Sequence, residues 1–203
     1  MTRLYLVRHG AVQAEGIFYG HLDVQLSAEG VAQLGRTAAA LAALELAAVY
    51  CSDLARAAHS ARLLAEPHGL QPVEDPAFRE MNLGVLEGLG HEEARRSHPA
   101  LAVKRYEDMW SFRFPGGENL QDIADRARPA LADLLARHSE PHEAVALVAH
   151  NSVNRVLLGD ALGLPLDRVF GFAQDFGCVN VVDYGGRTRV RLLNWTPGPL
   201  DPP

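Results

Sequence analysis

The segment Leu4-Tyr5-Leu6-Val7-Arg8-His9-Gly10, near the start of the chain, decides the fold prediction. Its first four residues are apolar and β-prone, and an arginine, a histidine and a glycine follow directly. A short apolar run that ends in polar residues and glycine is typical of a buried strand followed by a loop. The segment therefore predicts a β-strand at residues 4–7 with two cationic side chains at its carboxyl end.

Outward from this segment, short β-rich runs alternate with longer Ala/Leu-rich stretches at helical spacing. This alternation predicts an α/β fold, a three-layer sandwich with a mostly parallel mixed sheet flanked by helices. The further predicted strands are 48–51, a short one at 72–74, 144–149, and an antiparallel pair at 178–184 and 187–195 joined by a two-residue turn at Gly185-Gly186. The first predicted helix is capped by Ser27 and ends near Leu44, with Val31, Leu34, Ala38 and Leu41 facing the core. The second is capped by Ser52 or Asp53 and ends near residues 67–69, and one or two short helices lie within 91–108. A further helix is capped by Asn119 and ends near His138, and the last runs from residues 150–152 to Gly163.

The composition limits the class of protein and its partners. A chain of 203 residues is long enough for one domain with a sizeable core. The net charge is −6 and no basic run is present, so a nucleic-acid partner is not expected. There is neither a signal-peptide pattern at the start nor an apolar stretch of about 18 residues, so we expect no membrane partner and a cytoplasmic location. Cys51 and Cys178 are far apart and lie in apolar sequence, which predicts buried free thiols.

Several charged or polar side chains lie where a predicted strand gives way to a loop or a helix. Arg8 and His9 follow the first strand, Arg56 follows the second, Glu80 opens an irregular loop, and His150 ends the run 144–149. In doubly wound sheets, ligands bind beyond the carboxyl ends of the strands. Arginines and helix N-termini at one such edge suit a phosphate group, because guanidinium matches phosphate oxygens and backbone N–H groups add donors.

The segment 4–10 also resembles the signature of the histidine phosphatase superfamily, which has the phosphoglycerate-mutase-like fold. The resemblance continues through ordered blocks up to about residue 155. Further blocks that resemble family motifs are Tyr19-Gly20-His21-Leu22-Asp23, Leu26-Ser27-Ala28-Glu29-Gly30, Ser52-Asp53-Leu54-Ala55-Arg56-Ala57, Arg79-Glu80-Met81-Asn82-Leu83-Gly84 with Glu87-Gly88, Pro115-Gly116-Gly117-Glu118-Asn119, and Val148-Ala149-His150-Asn151.

The resemblance implies a role for each matching residue. His9 matches the nucleophile that becomes a phosphohistidine, with its other ring nitrogen bonded to a nearby backbone carbonyl. Glu80 matches the proton donor and acceptor. The groups that match those holding the phosphoryl oxygens are Arg8, Arg56 and His150. The residues expected to contact the substrate are Tyr19, Gly20, His21 and Asn151.

The sequence departs from the family pattern beside the phosphate. Ala11, Val12 and Ala14 stand where the family usually has threonine and asparagine, and Gln13 is the residue that can replace their contacts. Asn151 stands where glycine is usual.

Two further groups of residues are relevant to the substrate and to metals. The basic side chains Arg95, Arg96, Lys104, Arg105 and Arg113 either recognise an acidic substrate or form a solvated face. His138 and His142 have the spacing of a metal pair, but Pro141 between them disfavours a continuous helix. Neither a metal nor a cofactor is predicted.

The predicted organisation is a single domain over residues 1–195, with a small cap insertion at about 85–118, and a flexible tail at 196–203.

The predicted function is that of a metal-independent phosphomonoester hydrolase acting on a small phosphorylated metabolite such as α-ribazole 5'-phosphate. The pattern is closest to α-ribazole phosphatase and broad-specificity members of the family. A phosphoglycerate mutase is the alternative, which the short insertion disfavours, and a non-catalytic module that binds phosphoryl ligands is the alternative of another class. The exposed edge of the last hairpin can pair two copies as a homodimer.

Overall fold

The computed structural model describes residues 1–14, 16–101 and 110–198. The strands in this part of the chain are β1 (Thr2–Arg8), β2 (Ala48–Cys51), β3 (Val73–Glu74), β4 (Ala144–Ala149), β5 (Val179–Tyr184) and β6 (Arg189–Trp195). The α-helices in the same part are α1 (Ala28–Leu41), α2 (Ala55–Ala65), α3 (His91–Ser97), α4 (Leu120–Arg137) and α5 (Asn151–Leu162). Short 3₁₀ helices lie at Glu66–His68, Pro76–Phe78, Gly84–Leu86 and Leu166–Gly171.

The strands form one mixed sheet in the order β3-β2-β4-β1-β5-β6. β3, β2, β4 and β1 run parallel, whereas β5 is antiparallel to β1 and β6 is antiparallel to β5. β1 pairs with β4 so that Arg8 lies opposite Ala149. The residues that follow these two strands, His9 and His150, are therefore brought to the same edge of the sheet.

Apolar side chains cover both faces of the sheet. Along β4, Val145, Leu147 and Ala149 pack into a core with residues of α4 and α5. Ala146 and Val148, which point the other way, pack into a second core with residues of α1 and α2. The continuous apolar run of this strand is explained by burial on both faces, as expected for a parallel strand between two helix layers.

Sequence signals at the helix ends are mostly confirmed. The Ser27 side chain accepts a hydrogen bond from the Gly30 N–H at the start of α1. Asn119 and Asp122 form a reciprocal capping box at the start of α4. Gly163 ends α5 in the left-handed conformation, at φ 70°.

The structure corrects the prediction for α1. This helix ends at Leu41, not near Leu44, and Val31 on its predicted core face is 36% exposed. Thr37 is fully buried instead, and its hydroxyl donates to the Gly177 carbonyl at 2.9 Å. A threonine can occupy a core position here because the loop before β5 supplies an acceptor.

The predicted cap of α2 and the predicted hairpin turn are also corrected. Leu54, whose side chain has no acceptor, is the N-cap residue of α2. Of the two predicted cap residues, Asp53 is paired with Arg79, and the Ser52 hydroxyl accepts from the Leu54 N–H at 3.2 Å. The Asp23 carboxylate, from a distant loop, accepts a hydrogen bond from the Ala55 N–H at 2.7 Å. The connection between β5 and β6 spans residues 185–188, and neither of its glycines has the positive φ that a two-residue type I′ turn requires.

Residues 102–109 of the predicted cap and residues 199–203 of the predicted tail lie outside the described residues. Within the cap, the turn predicted at residues 115–117 is present, with Gly116 at φ 70°. Among the described helices, none has the length and apolar character needed to cross a membrane.

Candidate active site

A cavity of about 480 Å³ opens at the edge of the sheet where β1 and β4 end. Charged, aromatic and apolar side chains form its wall together. The lining residues are Arg8, His9, Ala11, Val12, Ala14, Gly16, Ile17, Phe18, Tyr19, Glu80, Met81, Leu83, His91, Asn151, Ser152, Phe170 and Phe176.

His9 follows β1 directly and is 2% exposed. Its ring atom Nδ1 lies 2.7 Å from the Gly10 carbonyl oxygen. Because a carbonyl oxygen only accepts, Nδ1 must carry the proton, and Nε2 of the neutral ring keeps its lone pair. The pKa of His9 lies well below the usual 6.5, first because of burial and then because Arg56 and Arg8 are close. The ring is therefore held in the neutral form in which Nε2 can act as a nucleophile.

His150 is the N-cap residue of α5 and is fully buried. Its ring centroid lies 5.0 Å from that of His9, with the two planes 62° apart. Among the described residues, neither ring nitrogen has a hydrogen-bond partner. Burial, followed by the positive charge of Arg56, holds the pKa of His150 well below 6.5. A buried polar group without a partner is costly, which is typical of a functional position.

Arg8 lies at the carboxyl end of β1 and lines the cavity. Its Nη1 atom donates to the Gln174 carbonyl, and its Nε atom is buried with no partner among the described residues. The guanidinium carbon lies 3.9 Å from the centroid of the Phe176 ring. Burial lowers the pKa of Arg8 below its usual value, and the charge of Glu80 opposes this shift. Stacking on Phe176 and the bond to the Gln174 carbonyl thus hold the guanidinium in place, while its Nε–H group has no partner among the described residues.

Arg56, in the first turn of α2, is fully buried although it carries a charge. It donates to the carbonyl of Gly20 at 2.6 Å and to that of Leu22 at 3.0 Å, and its Nε atom has no partner among the described residues. Gly20 is required at this contact, since a Cβ there would lie 2.1 Å from the Met81 carbonyl oxygen. Burial lowers the pKa of Arg56 below its usual value, and the charge of nearby Glu80 opposes this shift.

Glu80 lies in the irregular loop and faces the cavity. Its Oε1 atom accepts from the Met81 N–H at 2.8 Å and from the Ser152 N–H at 3.2 Å, and its Oε2 atom is 3.3 Å from the same Ser152 nitrogen. The N-terminus of α5 therefore orients this carboxyl group, as helix N-termini do for anions.

Two of the four residues predicted to contact the substrate lie in the cavity wall, and two do not. Tyr19 and Asn151 line the cavity, whereas Gly20 and His21 are not part of its wall. The Gly20 carbonyl is taken up by Arg56, and the His21 ring donates to the Glu80 carbonyl at 2.9 Å. Both of the latter residues bond to the protein's own loops, and their contact with a substrate stays a prediction.

Arg56 and His150 are not among the residues that line the cavity, but both are close to His9. The charge of Arg56 lowers the pKa of His9, and the His150 ring lies beside the His9 ring. Gln13, expected to replace the missing family contacts, is exposed, and its side chain donates to the Leu26 carbonyl at 2.9 Å instead. That contact supports the loop before α1 and leaves Gln13 outside the cavity wall.

The basic residues of the cap do not face the cavity where the structure describes them. Arg96 pairs with Glu92 at 2.5 Å on the surface, Arg113 pairs with Asp122, and Arg95 is exposed. Lys104 and Arg105 lie outside the described residues. Of the two interpretations left open, the solvated face therefore applies to Arg95, Arg96 and Arg113.

The candidate metal pair is separated in the structure. The His138 ring lies 2.9 Å from the Tyr50 hydroxyl on one side and 3.2 Å from a Glu143 carboxylate oxygen on the other, and His142 is exposed. Within residues 1–14, 16–101 and 110–198, no group of three His, Cys, Asp or Glu side chains is arranged to hold a metal ion.

Phe176 and His91 are among the residues of the cavity wall that were not identified from the sequence. Phe176 covers Arg8 and lies 5.6 Å from the His9 ring, and it belongs to an irregular segment without any periodic pattern. His91, the first residue of α3, lines the cavity, and its ring centroid lies 4.5 Å from that of Phe18, with the two planes 87° apart.

The two buried neutral histidines predict a stability that decreases in acid. Below pH 6.5 an unfolded chain protonates His9 and His150, whereas the folded chain keeps them neutral. The unfolded state then binds more protons, so the free energy of unfolding is expected to fall by up to about 1.4 kcal/mol per pH unit for each histidine. Urea unfolding between pH 7.5 and pH 5 measures this slope. His150→Gln should reduce the slope, and an unchanged slope would contradict the assignment.

A family model described as "Histidine phosphatase superfamily (branch 1)" matches residues 4–196. An adenosylcobalamin/alpha-ribazole phosphatase of Escherichia coli (strain K12) is 29% identical over 196 residues, which cover 95% of each chain. A probable phosphoglycerate mutase GpmB of Enterobacter sp. (strain 638) is 36% identical over 169 residues, which cover 81% of this chain and 77% of the relative.

A solved structure supports the same similarity. The crystal structure of a putative alpha-ribazole-5'-P phosphatase from Escherichia coli str. K-12 substr. MG1655 matches with a TM-score of 0.88 at 27% identity, covering 96% of each chain. The predicted α/β fold is thereby confirmed.

Proposed function

Because the chain belongs to the histidine phosphatase superfamily, we propose that it is a metal-independent phosphomonoester hydrolase that forms a phosphohistidine on His9. The observation that carries the proposal is the state of the His9 ring. Its Nδ1 atom is committed to the Gly10 carbonyl, and burial and two arginines keep the ring neutral. Nε2 is thus available to attack phosphorus at the wall of the cavity.

In the first step, the Nε2 lone pair of His9 forms a bond to phosphorus, and the bond from phosphorus to the ester oxygen breaks. The leaving alkoxide takes a proton from the Glu80 carboxyl group and departs as the alcohol. Negative charge on the phosphoryl oxygens is stabilised by the fixed cations Arg8 and Arg56 and by the buried ring of His150. These groups need little rearrangement, because stacking, carbonyl contacts and burial already fix them.

In the second step, a water molecule attacks the phosphohistidine. The Glu80 carboxylate removes a proton from the water, the new P–O bond forms, and the P–N bond to His9 breaks. Inorganic phosphate leaves, the His9 ring is neutral again, and Glu80 is protonated for the next cycle.

The rest of the cavity favours a substrate with an apolar or aromatic group. Beyond the reacting groups its wall contains Val12, Ile17, Phe18, Phe170 and Phe176. Two of the compared relatives are named as alpha-ribazole phosphatases. A small metabolite such as α-ribazole 5'-phosphate, which joins a phosphate to an aromatic base, fits this combination.

The wall fits the carboxylate of a phosphoglycerate less well. Among the described lining residues, the cationic or imidazole side chains are Arg8, His9 and His91, of which the first two are occupied by the phosphoryl group. A substrate carboxylate would face apolar side chains or Glu80. The mutase hypothesis is therefore less well supported than the hydrolase hypothesis. A module that only binds ligands would not explain why His9 is held in its neutral form.

The test uses purified protein, an excess of metal chelator, and a set of phosphomonoesters that includes α-ribazole 5'-phosphate and 3-phosphoglycerate. We expect inorganic phosphate from the first substrate at a rate unaffected by the chelator. Isomerisation of 3-phosphoglycerate with little release of phosphate would support the mutase instead. The cytoplasmic location and the homodimer stay predictions.

Glu80→Gln is expected to lower kcat/KM for an alkyl phosphate by about 10²–10⁴-fold, because the alkoxide then leaves without a proton. Hydrolysis of 4-nitrophenyl phosphate, whose leaving group is a stable anion, should lose much less. Steady-state kinetics with both substrates measure the difference. Equal losses on both would show that Glu80 does not protonate the leaving group. Glu93→Gln, on the surface of α3, is the matched control.

A further inference from the structure

Arg126, in the middle of α4, makes a dense set of hydrogen bonds outside the cavity wall. Its Nη1 atom donates to the Ala77 carbonyl at 2.7 Å, and Nη2 donates to the Glu80 carbonyl at 2.9 Å. Its Nε and Nη2 atoms also hold the two carboxylate oxygens of Glu118, at 2.9 and 3.0 Å. Every contact other than Glu118 is with the loop that carries Glu80.

That loop has little structure of its own. Between β3 and α3 it contains only two 3₁₀ helices, Pro76–Phe78 and Gly84–Leu86, with Glu80 between them. Short 3₁₀ turns contribute few backbone hydrogen bonds, so the position of Glu80 depends on contacts from elsewhere in the fold. The Glu80 carbonyl receives two of these contacts, one from Arg126 and one from the His21 ring.

Glu118 extends the support to the residues after Glu80. Its Oε2 atom, already paired with Arg126, also accepts from the Asn82 N–H at 2.9 Å. The backbone is packed equally closely here, because a Cβ on Gly117 would lie 2.4 Å from the Asn82 carbonyl oxygen. Arg126 and Glu118 together therefore hold the loop at residues 77, 80 and 82.

We propose that Arg126 is a positioning residue that fixes Glu80 for proton transfer to the leaving group. The proposal rests on the proposed function, in which Glu80 is the acid. Arg126 does not line the cavity, and its Nε, Nη1 and Nη2 atoms all bond to Ala77, Glu80 and Glu118, so it acts through the backbone of Glu80 and not on the substrate. A planar guanidinium suits this task, because its fixed fork pairs with a carboxylate on one side and with carbonyls on the other.

Loss of Arg126 is expected to change the distance between the Glu80 carboxyl group and the leaving oxygen. Proton transfer requires the donor within hydrogen-bond distance of the leaving oxygen, and a displacement of about 1 Å costs on the order of 10² in rate. Without Arg126, the Glu80 side chain keeps its bonds to Met81 and Ser152, while the backbone that carries it loses one of two carbonyl anchors. His9 and the groups that hold the phosphoryl oxygens, Arg8, Arg56 and His150, lie outside this loop.

The experiment compares kcat/KM for an alkyl phosphate and for 4-nitrophenyl phosphate in Arg126→Met and Arg126→Lys. The value of kcat/KM reports the steps from substrate binding to phosphoryl transfer to His9. The later hydrolysis of the phosphohistidine does not enter it. We expect a loss of about 10²-fold on the alkyl ester and less than about tenfold on 4-nitrophenyl phosphate in Arg126→Met. Arg126→Lys should recover only part of the loss, since lysine lacks the fork.

Arg128→Met is the matched control. Arg128 lies on the same helix and also forms a two-bond pair with a carboxylate, Asp160, at 2.7 Å, but it does not touch the loop. It should leave both substrates unaffected. Adding Arg126→Met to Glu80→Gln should cost little more than Glu80→Gln alone, because both remove the same proton transfer.

The outcomes separate the two proposals. Equal losses on both substrates, or full additivity with Glu80→Gln, would overturn the positioning role while leaving the hydrolase proposal intact. If the wild-type protein releases no phosphate from any monoester, the hydrolase proposal fails and this one fails with it. Should Arg126→Met not fold, as judged by urea unfolding, Glu118→Gln applies the same test by removing the carboxylate partner. Its loss should again fall on the alkyl ester.

Discussion

His9→Ala is expected to lower kcat/KM for every phosphomonoester by about 10⁴-fold or more, because removal of a nucleophile leaves only binding and charge stabilisation. Alanine is small enough to be accommodated at this buried position, and the chain's backbone bond from the residue 9 N–H to the Ala149 carbonyl is kept. Rapid-quench kinetics of phosphate release measure the loss.

The same experiment identifies the intermediate. Wild-type protein incubated with labelled substrate and denatured in base should retain a phosphoryl group that acid removes, as a phosphohistidine would. His9→Ala should retain none. His59→Ala, a half-buried histidine on α2, is the control and should keep both the adduct and the activity. An adduct that persists in His9→Ala would move the nucleophile to another residue.

Arg56→Met is expected to reduce kcat/KM by about 10³–10⁵-fold, the range that loss of a charge-stabilising arginine produces in phosphoryl transfer. Methionine fills much of the volume of the buried side chain but supplies neither the charge nor the donors to the Gly20 and Leu22 carbonyls. The loss should appear with 4-nitrophenyl phosphate as strongly as with alkyl esters, because the arginine stabilises the phosphoryl oxygens and not the leaving group. This pattern is opposite to that expected for Glu80→Gln.

Arg62→Met provides the control for Arg56→Met. Arg62 lies on the same helix but is exposed, and its nearest carboxylate, on Glu74, is 3.9 Å away. Exposed ion pairs contribute little, so neither activity nor stability should change measurably. Urea unfolding of both variants separates a lost charge from a lost fold. A folded Arg56→Met protein with near wild-type kcat/KM would exclude Arg56 from phosphoryl transfer.

The sequence allowed prediction of most strands, and with them the edge at which the candidate site lies. Strand β4 is recognisable because burial on both faces makes it uniformly apolar, and the residues after β1 and β4 meet because parallel strands end together. The blocks around His9 and His150 are local, so a short stretch of sequence specifies them. The positions of Arg8, Arg56 and Glu80 relative to these histidines follow from the same edge.

Residues whose role depends on a distant partner were not predictable. His21 was predicted to contact the substrate, but the bond from its ring to the Glu80 carbonyl, 59 positions away, was not foreseen. Thr37 replaces Val31 on the buried face of α1 because the Gly177 carbonyl lies nearby. Phe176 reaches Arg8 from an irregular segment, where neither helical nor strand periodicity marks a buried face. In each case the partner is fixed by tertiary packing, and a single sequence does not reveal it.

The unpartnered nitrogen atoms of Arg8, Arg56 and His150 place a constraint on how this sequence can change. Buried polar atoms without partners destabilise the folded chain, so an apolar replacement of His150, which has no side-chain hydrogen bond to lose, removes a penalty even as it damages the site. The same replacement of Arg8 or Arg56 also takes a donor away from backbone carbonyls. Selection for heat resistance alone would therefore tend to erase His150 first. A thermostable variant has to gain its stability elsewhere, for example on the exposed faces of α1 and α4, and leave these three side chains untouched.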